Sequence, residues 1–432
     1  MATRCVILLG PPHPHARLHS LVRWGRGWRL RQGGWALATV AAACGARASA
    51  EKKRDAAKGT ASAFADHLTR RTRSGAGFDR YLYRRYADAT GGYAHVPVML
   101  GEVLDVLRHL RLRSFVDCTL GAAGHSAAII EAHRELELYV GLDVDPIAHD
   151  KARARIEDLL NDDPRAGSLK AYTHVRNFKY IQSVLGGIDE NLLEGGVDGI
   201  LMDLGMSSMQ VGNSDRGFSV LGDGPLDMRM NPQASLKAED ILNCWPDIEV
   251  GRILRDYGEE SNWRLLQKQI VDARADGGLH STGQLVDLVR STSARSGGRR
   301  GWIKTATRVF QALRIAVNDE LQTLEDAIYA CFDCLSSGGR LLVISFHSLE
   351  DKIVKRTFLH IIEKKGEGHL SAEGGKGRRE DETDGGGETW SRHRVQGRHG
   401  TVLTKRPITP SKEEEKLNRR CRSAKLRVIQ KL

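Results

Sequence analysis

The sequence predicts an α/β fold in which a mostly parallel sheet is covered by helices on both faces. Three observations carry that expectation. First, "SFVDCTL" (114–120), "LYVGLDVD" (138–145), "VDGILMDLG" (197–205) and "RLLVISFH" (340–347) are short apolar runs rich in Val, Ile and Leu. Near-continuous apolar strands are the mark of strands buried on both faces. Second, helix-compatible segments separate them, and "AYTHV" (171–175) supplies a candidate fifth strand. Third, each clear run ends in small or polar residues: Gly121, Gly124 and His125; Asp143; Asp203 with Ser207 and Ser208; Ser345 with His347. Ligands of open α/β sheets sit at those carboxyl ends.

The elements follow in chain order. Residues 1–50 hold seven arginines and no acid, an organellar transit peptide by composition, with a secretory signal as the rival. Residues 51–93 read as a polar linker without helical or strand period. These two segments dominate the formal charge of +11: residues 1–94 carry about +12, residues 398–432 about +8, and the body between them about −9. Any contact with nucleic acid must therefore be local, and the tail "RRCRSAKLRVIQKL" is the first candidate for phosphate contacts. No apolar run is long enough to span a membrane. The seven cysteines form no framework; Cys331 and Cys334 have CxxC spacing but no second pair, and read as positions of a helix ending at Gly338-Gly339, with no metal.

The loop "DCTLGAAGHS" (117–126) lacks the third glycine of a dinucleotide fingerprint and the Gly-Lys-Ser/Thr ending of a P-loop. Its small residues still allow close approach of a ligand, and Asp143 stands where a carboxylate can bind two ribose hydroxyls. Together they describe a nucleoside site without a pyrophosphate cradle. S-adenosylmethionine fits; a tight turn beside a solvated aspartate is the other reading of these two features alone.

With "HVPVML" (95–100), "LDVDP" (142–146), "DGILMDLGMSS" (198–208), "RGFS" (216–219), "GPLDMRM" (224–230), "YGEE" (257–260), "ATRVFQALRIAVNDEL" (306–321), "GGRLLVISFHSLEDKIVK" (338–355) and "RSAKLR" (422–427), the chain resembles the MraW/RsmH-type methyltransferases, which modify the N4 amine of a cytosine in small-subunit ribosomal RNA. The resemblance implies a class I S-adenosylmethionine-dependent methyltransferase core with an inserted helical domain. The core is expected over 94–212, 305–362 and 398–432, the insertion over 213–304, and a low-complexity, disordered loop over 363–397. It implies cofactor contacts at Ala123, Gly124, His125, Asp143, Phe178, Asp203 and Gln210. The family usually has Gly-Gly-His where this chain has Ala123-Gly124-His125; binding is expected to survive if Ala123 is α or β, because a Cβ disfavours positive φ.

A delocalised cytosine amine is a poor nucleophile, so it must be held in line and its proton accepted. Asp203 is the leading candidate, with Ser207, Ser208 and His347 able to share the task. Arg308, Gln311, Arg314 and Asn318 share one helical arc, which by pattern alone reads equally as a solvated face; the resemblance implies that this arc, with Arg229, faces RNA at the cleft. The expected partner is the small ribosomal subunit of an organelle, narrowly a chloroplast and otherwise a mitochondrion; oligomeric state is not legible. A nucleotide-dependent oxidoreductase and a catalytically silent assembly factor are the competing classes.

Overall fold

The computed structural model describes residues 72–73, 78–87, 96–162, 168–293, 298–363 and 394–432. The expected leader, most of the linker and most of the low-complexity loop lie outside them.

One sheet organises the chain. Its strands are β1 (Thr72–Arg73), β2 (Ser114–Asp117), β3 (Leu138–Asp143), β4 (Lys170–Val175), β5 (Val197–Asp203), β6 (Leu335–Ser345), β7 (Val395–Gln396), β8 (Gly400–Val402), β9 (Ile408–Thr409) and β10 (Lys425–Lys431). The spatial order is β1-β9-β10-β6-β5-β2-β3-β4, with β8 on β10 and β7 on β8. Strands β2 to β6 are parallel to their neighbours, and β10 runs antiparallel to β6. The chain moves outward from β2 to β3 and β4, then returns to the other side of β2 with β5 and β6. The topological switch therefore lies between β2 and β5, where a ligand site is expected.

Successive residues of each strand face opposite layers. Val116, Val140, Ile200 and Val343 pack with helices Ile181–Ile188, Glu320–Asp333 and Ser348–Glu363. Phe115, Tyr139, Leu201 and Leu342 pack with helices Leu100–Leu107, Gly124–Ala132 and Pro146–Asn161. A separate core joins the helices Ala238–Cys244, Asp247–Asp256, Trp263–Ala275, Thr282–Ser293 and Gly298–Asn318. Among the described residues no helix is long and apolar enough to cross a membrane.

The structure corrects four sequence expectations. The insertion ends at Asn318, not 304: Ala306, Val309, Phe310, Leu313 and Val317 recur every three or four residues and bury in the helical core. Within the expected linker, Arg80–Arg85 is helical, capped by the Asp79 carboxylate, with Tyr83 and Tyr86 buried. Six residues are too short to display a period. The 320–333 helix stops before Leu335, and Gly338 turns inside β6 at φ +81° rather than ending the helix. Finally, the basic tail is divided: Arg419, Arg420 and Arg422 are exposed, but β10 lies between β9 and β6, Arg427 and Lys425 both pair with Asp351, and Cys421, Leu426 and Val428 are buried.

Candidate active site

A cleft opens at the carboxyl ends of β2, β3 and β5. Gly121, Ala122, Gly124, His125, Asp143, Phe178, Asp203, Ser207, Ser208 and Gln210 line it. Two hydrogen bonds fix the strand ends together: Cys118 N donates to Leu201 O at 2.9 Å, and Asp203 N to Thr119 Oγ1 at 2.7 Å. The first loop therefore sits beside Asp203.

The loop turns through Gly121 (φ +52°) and Ala123 (φ +56°, ψ +31°), and helix Gly124–Ala132 begins there. Ala123 is left-handed, so the α or β geometry on which retained binding was conditioned is not met, and its methyl is buried in the core instead of lining the cleft. It shapes the loop and makes no wall of the site. Asp143 accepts Gly121 N at 2.8 Å on one oxygen and Asp145 N at 2.9 Å on the other, which orients the carboxylate toward the loop. Burial pushes its pKa up to about 6 against those two backbone donors.

His125 Nε2 lies 2.9 Å from Val98 O. A carbonyl only accepts, so Nε2 carries the proton and Nδ1 keeps its lone pair. Burial pulls the imidazole down to about 4, so it is neutral. Nδ1 lies 3.7 Å from Asp203 Oδ2, a spacing an ion pair would also have. Yet burial, then the charges of Asp117 and Glu350, push the Asp203 carboxyl well above the ordinary range. With the imidazole neutral, the contact is not a salt bridge. Asp203 Oδ1 is buried without a hydrogen-bond partner. An orphaned acceptor at the strand end, a lone pair beside it and small-residue backbone opposite make a donor set that suits the adenosine and sulfonium of S-adenosylmethionine.

Gln210 and Ser207 form a capping box: Gln210 N donates to Ser207 Oγ at 3.2 Å and Ser207 N to Gln210 Oε1 at 3.0 Å. Gln210 Nε2 then reaches Asp145 Oδ2 at 3.2 Å, and Arg216 NH1 reaches the same oxygen at 2.7 Å. Arg216 NH2 donates to Arg229 O and Met230 O, so this cluster ties the cleft to the insertion.

Other candidates are placed differently. His347 does not line the cleft; its Nε2 lies 3.0 Å from Glu350 Oε1. Glu320, His347 and Glu350 each bring a ligand atom within 4.8 Å of the others. A cation there would have to displace Arg314, which holds both Glu320 oxygens at 2.8 and 2.9 Å. That pair also corrects the RNA-facing arc. Arg314 is 7% exposed and not available to a phosphate. Asn318 binds Met228 O and Met230 N, and Gln311 Nε2 binds Tyr257 O. Arg229 is held bidentate by Asp227 and donates to Ala234 O. Arg308, 3.5 Å from Glu260, keeps a third of its side chain exposed (34%). Val98, Met206, Met230, Phe346, Asn418 and Arg420 also line the cleft and were not anticipated as site residues. Arg420, which reaches the Ser208 hydroxyl, was anticipated only as part of the basic tail.

A sequence profile described as the MraW methylase family matches residues 92–371 and 389–432. The "Ribosomal RNA small subunit methyltransferase H" of Heliobacterium mobile is 40% identical over 79% of this chain and 99% of its own length. The protein of the same name from Paenibacillus sp. is 39% identical over 79% of this chain and 100% of its own. Among solved structures, a rRNA methylase from Streptococcus thermophilus matches at 10% identity and a TM-score of 0.33, over 78% of this chain and 99% of that one. A Streptococcus mutans protein in complex with SAH matches at 12% identity and a TM-score of 0.31, over 78% of this chain and 100% of that one.

Proposed function

The chain belongs to the MraW methylase family, and on that premise we propose that the methyl group it takes from S-adenosylmethionine goes to the N4 amine of a cytosine in small-subunit ribosomal RNA. It is an S-adenosylmethionine-dependent rRNA methyltransferase. When bound, the cofactor supplies an electrophilic methyl on a sulfonium. The chain's own residues have three tasks. Gly121, Ala122, Gly124, His125 and Asp143 hold the adenosine, with Phe178 as an apolar wall. The cleft must hold the amine about 3–3.5 Å from the reacting carbon. A group at the end of β5 must take the amine proton as nitrogen rehybridises. The observation that carries this reading is the buried, unpartnered Oδ1 of Asp203, with the Nδ1 lone pair of His125 behind it. The target base has to leave its stack to reach such a recessed acceptor.

The arginine-rich, acid-free residues 1–50 support import into an organelle, narrowly the chloroplast stroma over the mitochondrial matrix. A second reading, an assembly factor without catalysis, is favoured by the strained Ala123. The test incubates the full-length protein with S-adenosylmethionine and small subunits from cells lacking the gene, then digests the RNA to nucleosides for mass spectrometry. N4-methylcytidine from the wild type and not from Asp203→Ala is the expected result. A methyl on another atom overturns the N4 assignment. No methyl, while a bacterial relative modifies the same particles, leaves the assembly factor standing.

A further inference from the structure

Residues 78–87 precede the stretch matched by the family profile, which begins at residue 92, yet they dock directly behind the cofactor loop. Tyr83 and Tyr86 bury against Ala127 and Ala128, on the helix that the loop opens. The Tyr83 hydroxyl lies 3.2 Å from Glu102 Oε2 and from Glu414 Oε2, and the Tyr86 hydroxyl donates to Glu131 Oε2 at 2.7 Å. The short helix is thus pinned at its second half and at its C-cap by buried or half-buried acceptors.

Its last turn meets the loop through Arg155. From helix Pro146–Asn161, that guanidinium donates to Ala122 O at 3.1 Å and to Tyr86 O at 3.2 Å. The two carbonyls belong to the cofactor loop and to the added helix, so Arg155 joins them. At Gly124 the fit is tight: an ideal Cβ would lie 2.6 Å from Pro97 Cγ and 3.3 Å from Tyr86 O. Between Ala122 and Gly124 sits Ala123, held left-handed at φ +56° where an L-residue resists that geometry by about 1–2 kcal/mol.

We propose that helix 80–85 and Arg155 form a clamp that holds the cofactor loop in its binding geometry against the strain of Ala123. Residues 78–87 then belong to the working enzyme and are not part of a disposable linker. The proposal rests on the cofactor site above and is independent of which base is methylated.

A double-mutant cycle on the full-length chain tests it, with S-adenosylhomocysteine as the calorimetric probe. Arg155→Met is expected to weaken binding about tenfold, the size of one strained residue released, while the KM for small subunits stays unchanged. Tyr83→Ala, which undocks the helix, is expected to do the same. The deciding arm is Ala123→Gly: glycine adopts the left-handed turn without a brace, so in that background Arg155→Met should lose most of its effect. A purely structural arginine would give the same loss in both backgrounds, and that equality overturns the clamp. So does unchanged affinity in Arg155→Met. Should Arg155→Met not fold, Arg155→Lys, which keeps the charge and loses the fork, carries the same comparison. Failure of the wild type to bind the probe would overturn the cofactor site itself, and the clamp with it.

Discussion

The sheet side of the cleft and the insertion beyond it treat their polar groups in opposite ways. On the sheet side, Asp203 has an unpartnered oxygen and a carboxyl that burial pushes up, and the neutral His125 keeps a bare nitrogen. On the insertion side, the groups that look most reactive are satisfied by one another: Arg314 by Glu320, Arg229 by Asp227, and Arg216 by Asp145 and two carbonyls. Buried polar groups are nearly always satisfied, and Asp203 lines the cleft, where a ligand can supply the missing donor. The difference separates groups that hold the cleft open from groups that work inside it, although all sit within equally long sequence motifs.

The contrast breaks most sharply at Arg314. Arg314→Met strands the Glu320 carboxylate in a buried seam, and losing one partner of such a pair costs about 3–5 kcal/mol. Urea denaturation is expected to show that loss, with Arg314→Met and Glu320→Gln far from additive. Stability within about 1 kcal/mol of wild type would mean that the seam is wet, and would return Arg314 to the RNA-facing candidates.

On the sheet side the expectation inverts. Asp203→Asn keeps the shape and removes the proton acceptor, so kcat is expected to fall about 10²–10³-fold while melting temperature and S-adenosylhomocysteine affinity change little. A large loss of stability with it would erase the distinction between the two sides.

Much of the working wall was legible in the sequence, and the reason is local. The strand runs end where apolar residues stop, so Asp143, Asp203 and the 121–125 loop could be placed at one edge from pattern alone. The scaffold was not, because its partners are distant. Asp145 meets Arg216 71 residues later, and Asn318 meets Met230 across 88. A helical arc of Arg, Gln, Arg and Asn has the same spacing whether it faces phosphate or backbone carbonyls. Glu320, six residues beyond Arg314, was the one nearby signal, and it lies past the end of that helix. The tail misled for a related reason. Its basic residues alternate with Leu426 and Val428, a strand pattern that overall charge conceals.

A third measurement sharpens the account of Asp203. Its folded carboxyl is raised, so it holds a proton in the free protein at pH values where an ordinary aspartate would not. A cation in the cleft favours the carboxylate, so a bound sulfonium lowers that pKa and releases the proton. Affinity for S-adenosylmethionine should therefore rise with pH, by up to about tenfold per unit, in the window between the two values. It should flatten above the raised one. S-adenosylhomocysteine, with a neutral sulfur, should lack that slope. Calorimetry of both ligands in buffers of different ionisation heat reads the proton directly. Parallel pH profiles would place the ionisation elsewhere and remove the case for Asp203 as an acceptor.

The smallest effect belongs to Arg308, the member of the arc with a third of its side chain in solvent. Its pairing with Glu260 is loose at 3.5 Å, so a phosphate can compete for it. Arg308→Gln is expected to raise the KM for small subunits only a few-fold, without loss of stability. The sharper readout is salt. One phosphate contact to single-stranded RNA contributes about 0.7 to the slope of log affinity against log salt, and the variant should lose that much. Arg420→Gln, at the rim of the same cleft, gives the reference for a second cation. If Arg308→Gln leaves the slope intact while Arg420→Gln lowers it, the RNA follows the sheet side of the cleft, and the whole arc belongs to the scaffold.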